Sequence, residues 1–150
     1  MSARKENRGG FTLVELAVVI VIIGVLASFG VPQFMKSVER TKATEAFHFL
    51  SAVRSAQERY RAREGSYATR LSDLELQWRT DLATGAPVLK YFTISAAEAD
   101  AKSWSLRLTR SGPSNGYKYD VMYTNDGYDP TRSTIEKHPE INPVTSSPGT

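Results

Sequence analysis

The sequence predicts an α+β fold: a long N-terminal helix, membrane-spanning in its first half, packed against a small antiparallel β-sheet. Three observations lead there. Residues 16–31, LAVVIVIIGVLASFGV, carry no charge. After Pro32 the apolar residues keep helical spacing, and from residue 88 onward they alternate with polar ones in steps of two.

The 21 residues from Phe11 to Val31 would span about 31 Å as a helix, roughly one hydrocarbon core. Arg4, Lys5 and Arg8 precede them, so the positive-inside bias puts the N-terminus in the cytoplasm and the rest of the chain outside. A cleavable secretory signal fits poorly, because SFGVPQF runs straight into a helical pattern without a small-residue cleavage site. Gly24, Ser28 and Gly30 are small residues that let helices approach closely in an apolar medium. Pro32 removes one backbone donor, so a helix kink or a melted turn is expected over residues 28–32, around Gly30 and Pro32.

Beyond Pro32, Val38, Ala46, Phe49, Leu50, Val53, Ala56 and Tyr60 mark one face of an amphipathic helix, with Lys36, Arg40, Arg54, Glu58 and Arg61 elsewhere. Gly65 is a C-terminal stop signal. Three strands are expected at 88–95, 103–110 and 117–124, with SGPSNG as the turn between the last two. Ser72 and Glu75 have capping-box spacing, and Ser95 with Glu98 repeats it in a stretch readable as a helical turn or a loop. The end of the chain from Asn125 holds four prolines and no apolar period, predicting an irregular, exposed tail.

Composition narrows the function. The 150 residues leave room for a membrane segment plus one small domain, and without cysteine neither disulfides nor thiolate metal sites can form. Without Arg4, Lys5, Arg8 and Glu6 the basic and acidic counts fall from 19 and 16 to 16 and 15, so net charge does not argue for nucleic acid. Phosphate-loop, zinc-hydrolase and serine-nucleophile signatures are missing, which predicts a non-enzyme without catalytic residues. His48 and His138 have no companion ligands at metal spacing. No cofactor or metal is expected; Asp126 and Asp129 in NDGYD are a weak calcium candidate, better explained as a turn. Arg54, Arg59, Arg61 and Arg63 could meet DNA phosphates, but they alternate with Glu58 and Glu64 around the helix and suit a solvated face better. The tyrosines at 117, 119 and 123 suit sheet packing.

The sharpest signal is Glu15, an acid on the threshold of a span. A carboxylate at mid-bilayer costs about 2.5–3.5 kcal/mol and less near the interface, so it persists where it has a partner. The junction RGG followed by FTLVEL resembles the processing site of type IV prepilins: a short basic leader ending in glycine, a phenylalanine that becomes the first mature residue, and a glutamate fifth after the cut. Residues 10–34 follow the family pattern nearly throughout, Pro32 included, whereas beyond residue 65 the likeness is only architectural.

That resemblance implies a pilin fold with prepilin peptidase cleavage between Gly10 and Phe11, N-methylation of Phe11, and filament assembly through Glu15 and Phe11. It also implies a division into leader (1–10), transmembrane and filament-core helix (11–32), amphipathic helix on the head (33–64), head with connecting loop and sheet (65–124) and tail (125–150). Cleavage creates an amine with a pKa near 8 at a helix N-terminus. Unit charges about 4 Å apart attract by about 4 kcal/mol at an effective dielectric near 20, before desolvation. Family knowledge pairs the glutamate of an incoming subunit with the amine of one already in the fibre.

The implied protein is a structural type IV pilus subunit serving adhesion, twitching or DNA uptake. Its implied partners are copies of itself in a helical homopolymer, the prepilin peptidase, an inner-membrane assembly platform and cytoplasmic ATPases. It would sit in the inner membrane before assembly and in the extracellular pilus afterwards. Two alternatives stay open: a type II secretion pseudopilin or minor priming pilin, and a signal-anchored extracytoplasmic binding domain.

Overall fold

A computed structural model describes residues 10–114 and 116–145. Residues 1–9 of the expected leader, Asn115 in the expected turn and residues 146–150 of the tail lie outside the described residues. Helix α1 (Leu13–Glu64) is followed by a 3-10 turn (Leu71–Asp73), strands β1 (Phe92–Ala99), β2 (Trp104–Arg110), β3 (Asp120–Thr124) and β4 (Gly127–Tyr128), and a 3-10 turn (Thr134–Lys137). The strands form one antiparallel sheet in the order β1-β2-β3-β4.

The chain divides into two compact units, Met1–Met35 and Lys36–Thr150, and α1 contributes to both. In the first unit the helix is assigned without interruption through residues 28–32, so the expected melted turn is absent. Proline removes one donor but leaves the flanking hydrogen bonds of a long helix in place. The Ser28 hydroxyl donates to the Val25 carbonyl at 2.6 Å in the turn before it.

In the second unit Ala43, Ala46, Phe49, Leu50, Val53 and Ala56 of α1 share one core with Phe92, Trp104, Leu106, Leu108, Tyr119, Val121 and Tyr123 of the sheet region. The alternation of Trp104, Leu106 and Leu108 buries one face of β2. Phe47 meets Tyr123 edge-on at 6.1 Å and Tyr128 at a tilt at 5.1 Å, and Phe49 meets Trp78 edge-on at 5.1 Å. Gly65 ends the helix at φ 77°, its N–H bonded to the Arg61 carbonyl.

Several further expectations need correction. The first strand begins at Phe92, not residue 88, because Glu45 of α1 takes the backbone N–H groups of Lys90 and Tyr91, each at 2.8 Å. It also continues through SAAEA: a register shift between Ile94 and Ala96 resets the pairing, so Ala96–Ala99 stay on the ladder opposite Arg107–Trp104. The Ser72–Glu75 capping box does not form, since the 3-10 turn at Leu71–Asp73 has no side-chain cap and Glu75 pairs with Arg63 at 3.0 Å.

Another concerns the tail, whose described residues 125–145 are neither irregular throughout nor all exposed. Ile135, Ile141 and Asn142 are fully buried. Two-residue β4 leaves much of the β3 edge open, and the tail takes it: Asp129 N–H donates to the Met122 carbonyl, Met122 N–H to the Ser133 hydroxyl and Asp120 N–H to the Thr134 hydroxyl. Asn142 and Tyr128 both donate to Glu136, at 2.9 and 2.6 Å.

Candidate assembly site

The site expected from the sequence lies at the start of α1. Gly10 and Phe11 are exposed, and a Cβ added at Gly10 would meet no atom within 4 Å. Thr12 stands just before the first helical residue. Its backbone N–H and its hydroxyl donate to Glu15 Oε2 at 2.8 and 3.0 Å, and Glu15 N–H donates to the Thr12 hydroxyl oxygen at 3.2 Å. This reciprocal capping box gives otherwise orphaned amides at the helix start a partner.

This role was not expected from the sequence, although Thr12 and Glu15 carry the same spacing as Ser72 and Glu75. Here the box forms because the residues after it continue as helix. Glu15 is thus held against its own helix start by Thr12. In the uncut chain the nitrogen of Phe11 is an uncharged peptide nitrogen, so no charge pair is available to Glu15 there.

Past this cap, every large apolar side chain from Phe11 to Met35 is between 43% and 85% exposed. Burying each would gain about 1.5–3 kcal/mol, so the bare stripe demands lipid or other helices around it. The helix is long and apolar enough to cross a membrane. A Cβ at Gly24 or Gly30 would meet nothing within 4 Å, so neither glycine is needed for packing among the described residues.

The second unit holds a buried charge cluster that the sequence analysis did not single out. Glu39 of α1 and Arg110 of β2 have side chains 1% exposed, and Arg110 Nε donates to Glu39 Oε1 at 2.6 Å. Lys42 Nζ reaches Glu39 Oε2 at 3.2 Å and the Tyr119 hydroxyl reaches Oε1 at 3.2 Å. The guanidinium also donates to the carbonyls of Tyr91, Ser111 and Pro113, so one side chain ties α1, the start of β1 and the β2–β3 turn. Burial pushes the Glu39 carboxyl up, but Arg110 and Lys42 together outweigh it and hold the pKa below the usual value. Burial foremost, with Glu39 beside it, pushes the Tyr119 phenol far up, so it stays a donor.

The weaker candidates take ordinary roles. His48 is exposed; His138 meets Tyr117 edge-on at 5.3 Å and lies 3.7 Å from Glu140. Asp129 Oδ1 accepts from the backbone N–H of Thr131 and Arg132, an Asx turn, and no group of three or more metal-ligating side chains occurs among the described residues. Of the helix arginines, Arg63 pairs with Glu75, Arg61 bonds the Tyr67 hydroxyl, and Arg54 lies against Gly127.

Comparison with known proteins agrees with this geometry. Residues 5–31 match the prokaryotic N-terminal methylation motif, and residues 32–120 match the family described as type IV minor pilin ComP, DNA uptake sequence receptor. Similar proteins include the type II secretion system core protein G of Pseudomonas aeruginosa, 35% identical over 48% of this chain and 51% of that protein. Others are the type IV major pilin protein PilA of Myxococcus xanthus, 41% identical over 42% of this chain and 28% of that protein, and a fimbrial protein of Pseudomonas aeruginosa, 45% identical over 33% and 32%. The chain thus spans about half or less of the length of these relatives. With the methylation motif at its start and the second match covering more than half of its length, the chain belongs to the type IV pilin family, in the group of the minor pilin ComP.

Proposed function

We propose that this protein is a filament-forming subunit, cut between Gly10 and Phe11 by a prepilin peptidase, methylated at Phe11, and polymerised through α1. The observation that carries the reading is Glu15, a carboxylate at the head of an apolar helix whose side chains are bare from Phe11 to Met35. Before assembly that stripe resides in the inner membrane with the N-terminus cytoplasmic; afterwards neighbouring helices replace the lipid. The new amine of one subunit then meets Glu15 of the next, fixing the axial register of helices that could otherwise slide. Contacts of this head-to-tail kind generate open helical polymers. An assembly platform and cytoplasmic ATPases would drive the process.

The family description adds a ligand, DNA, which we extend to this chain. Arg59, Arg79, Lys90, Lys102 and Lys118 are exposed and form no ion pair among the described residues, so they are available to phosphates. Binding through them would weaken steeply with salt. The likeness to the secretion protein of Pseudomonas aeruginosa favours a second reading, a pseudopilin.

N-terminal mass spectrometry of material sheared from the cell surface tests the proposal. A fibre subunit appears there beginning at methylated Phe11. A chain retained in membranes with its first ten residues contradicts it, and a processed chain absent from the surface but required for exoprotein release supports the pseudopilin.

A further inference from the structure

Residues 79–88 form a small hairpin in the loop that connects α1 to β1. Thr80 and Pro87 bridge its stem, Val88 N–H donates to the Arg79 carbonyl at 2.8 Å, and Asp81 N–H donates to the Ala86 carbonyl at 2.9 Å. Asp81 closes the tip: its Oδ1 accepts from the backbone N–H groups of Ala83 and Thr84 and from the Thr84 hydroxyl, and Gly85 completes the turn at φ 66°. The base is anchored as well, since Trp78 meets Phe49 edge-on and its Nε1 donates to the Val88 carbonyl at 3.1 Å. On this ordered tip stands Leu82, the most exposed large apolar side chain among the described residues.

A lone exposed leucine is ordinary on a protein surface. One held out by a closed turn is better suited to contact, because a loop ordered beforehand loses little entropy on binding. Beside it, Asp81 Oδ2 has no partner among the described residues, so an anionic oxygen accompanies the apolar knob.

The same unit carries a hollow of matching chemistry. A cleft of about 580 Å³ lies between α1 and residues 75–77 of the connecting loop, with Ala52, Ser55 and Leu76 in its wall. The short side chains at 52 and 55 leave room for an incoming leucine, and Leu76 gives it an apolar neighbour. Arg59, in the same wall, is exposed and forms no ion pair among the described residues. The cleft at the β1–β2 turn presents Glu98 and Asp100 instead, which would repel Asp81.

Leu82 is fully exposed, so it does not fill the cleft of its own chain. We propose that Leu82 of one copy seats in this cleft of the next copy, with Asp81 against Arg59. The contact rests on the filament reading, in which copies of the chain stand side by side. Knob and hollow are different patches, so their union is heterologous and extends without closing. It also withdraws Arg59 from the cations open to DNA.

The chain has no cysteine, so introduced thiols report without background. Filaments sheared from cells making the full chain with Leu82→Cys and Ser55→Cys together are treated with a short bismaleimide cross-linker and resolved on a denaturing gel. The expected result is a ladder of dimers, trimers and longer species, while each single variant stays monomeric and Leu82→Cys with Lys118→Cys gives no ladder. If the pair does not assemble, filaments mixed from the two single variants yield the cross-linked dimer instead. Leu82→Asp, processed normally and with an unchanged urea midpoint, lowers filament yield about tenfold. Filaments in which neither the pair nor the mixed variants cross-link, a ladder from the pair that stops at the dimer, cross-linking of a single variant, or an undiminished Leu82→Asp yield each overturns the contact and leaves the filament reading intact. Absence of filaments from the unmodified chain removes both together.

Discussion

Arg110 Nε donates to Glu39 Oε1 at 2.6 Å inside the second unit, joining a helix residue to a strand residue that both lie in the apolar interior. Removing one partner of such a pair leaves the other charge buried and uncompensated. Glu39→Ala is expected to lower stability by about 3–5 kcal/mol, whereas the double replacement Glu39→Leu with Arg110→Met has a much smaller effect or none. Urea unfolding followed by tryptophan fluorescence distinguishes the two.

The same pair sets a pH dependence. The Glu39 carboxyl has a lower pKa in the folded chain than an ordinary glutamate, so its stabilisation is complete above the unfolded pKa and is lost as pH falls through the folded one. The urea midpoint should therefore fall on acidification below about pH 4.5, and less so in the Glu39→Leu/Arg110→Met protein. Equal acid sensitivity in both would assign the effect to other carboxylates.

Thr12 and Glu15 make a third prediction. Thr12→Ala removes the hydroxyl half of the capping box and should cost about 0.5–2 kcal/mol of local helix stability. Faster amide exchange over residues 12–15 is the expected readout, with peptidase cleavage retained and exchange restored by Thr12→Ser.

Capping and charge can be separated at Glu15 itself. Glutamine also serves at the third helical position of a capping box, but it carries no charge. Glu15→Gln should keep the slow exchange of the helix start and still be processed, yet yield few filaments by electron microscopy of shear fractions. Abundant filaments from this variant would make capping, not charge, the reason for the acid.

Gly10→Val should leave the leader attached without disturbing the fold, because a Cβ there meets nothing within 4 Å. The uncut protein is expected at its full mass in the membrane fraction with an unchanged urea midpoint. A normally processed Gly10→Val protein would move the cut elsewhere.

The helix, its stop at Gly65 and the inward face of β2 were legible because period and stop signal agree locally. The buried charge cluster was legible too, but in a form easily passed over. Glu39, Ala43, Ala46, Leu50, Val53 and Gln57 follow one another at steps of four and three, which puts a glutamate on the apolar stripe. Arg110 extends the alternation of Trp104, Leu106 and Leu108 and so points inward. Opposite charges on two faces that meet imply a pair. The tail was harder, since Ile135 and Ile141 are isolated apolar residues, and only tertiary contact with the open β3 edge gives them a place. The start of β1 was set by Glu45, 45 residues before Lys90, beyond what a local pattern can hold.

In the proposed filament the amine freed at Phe11 pairs with Glu15 of a neighbouring subunit. A cryo-electron-microscopy map of the assembled filament measures it directly. The Glu15 carboxylate should lie within about 4 Å of the Phe11 nitrogen of an adjacent subunit, released from its own Thr12. A Glu15 still bonded to Thr12, or a Phe11 still joined to Gly10, would contradict it.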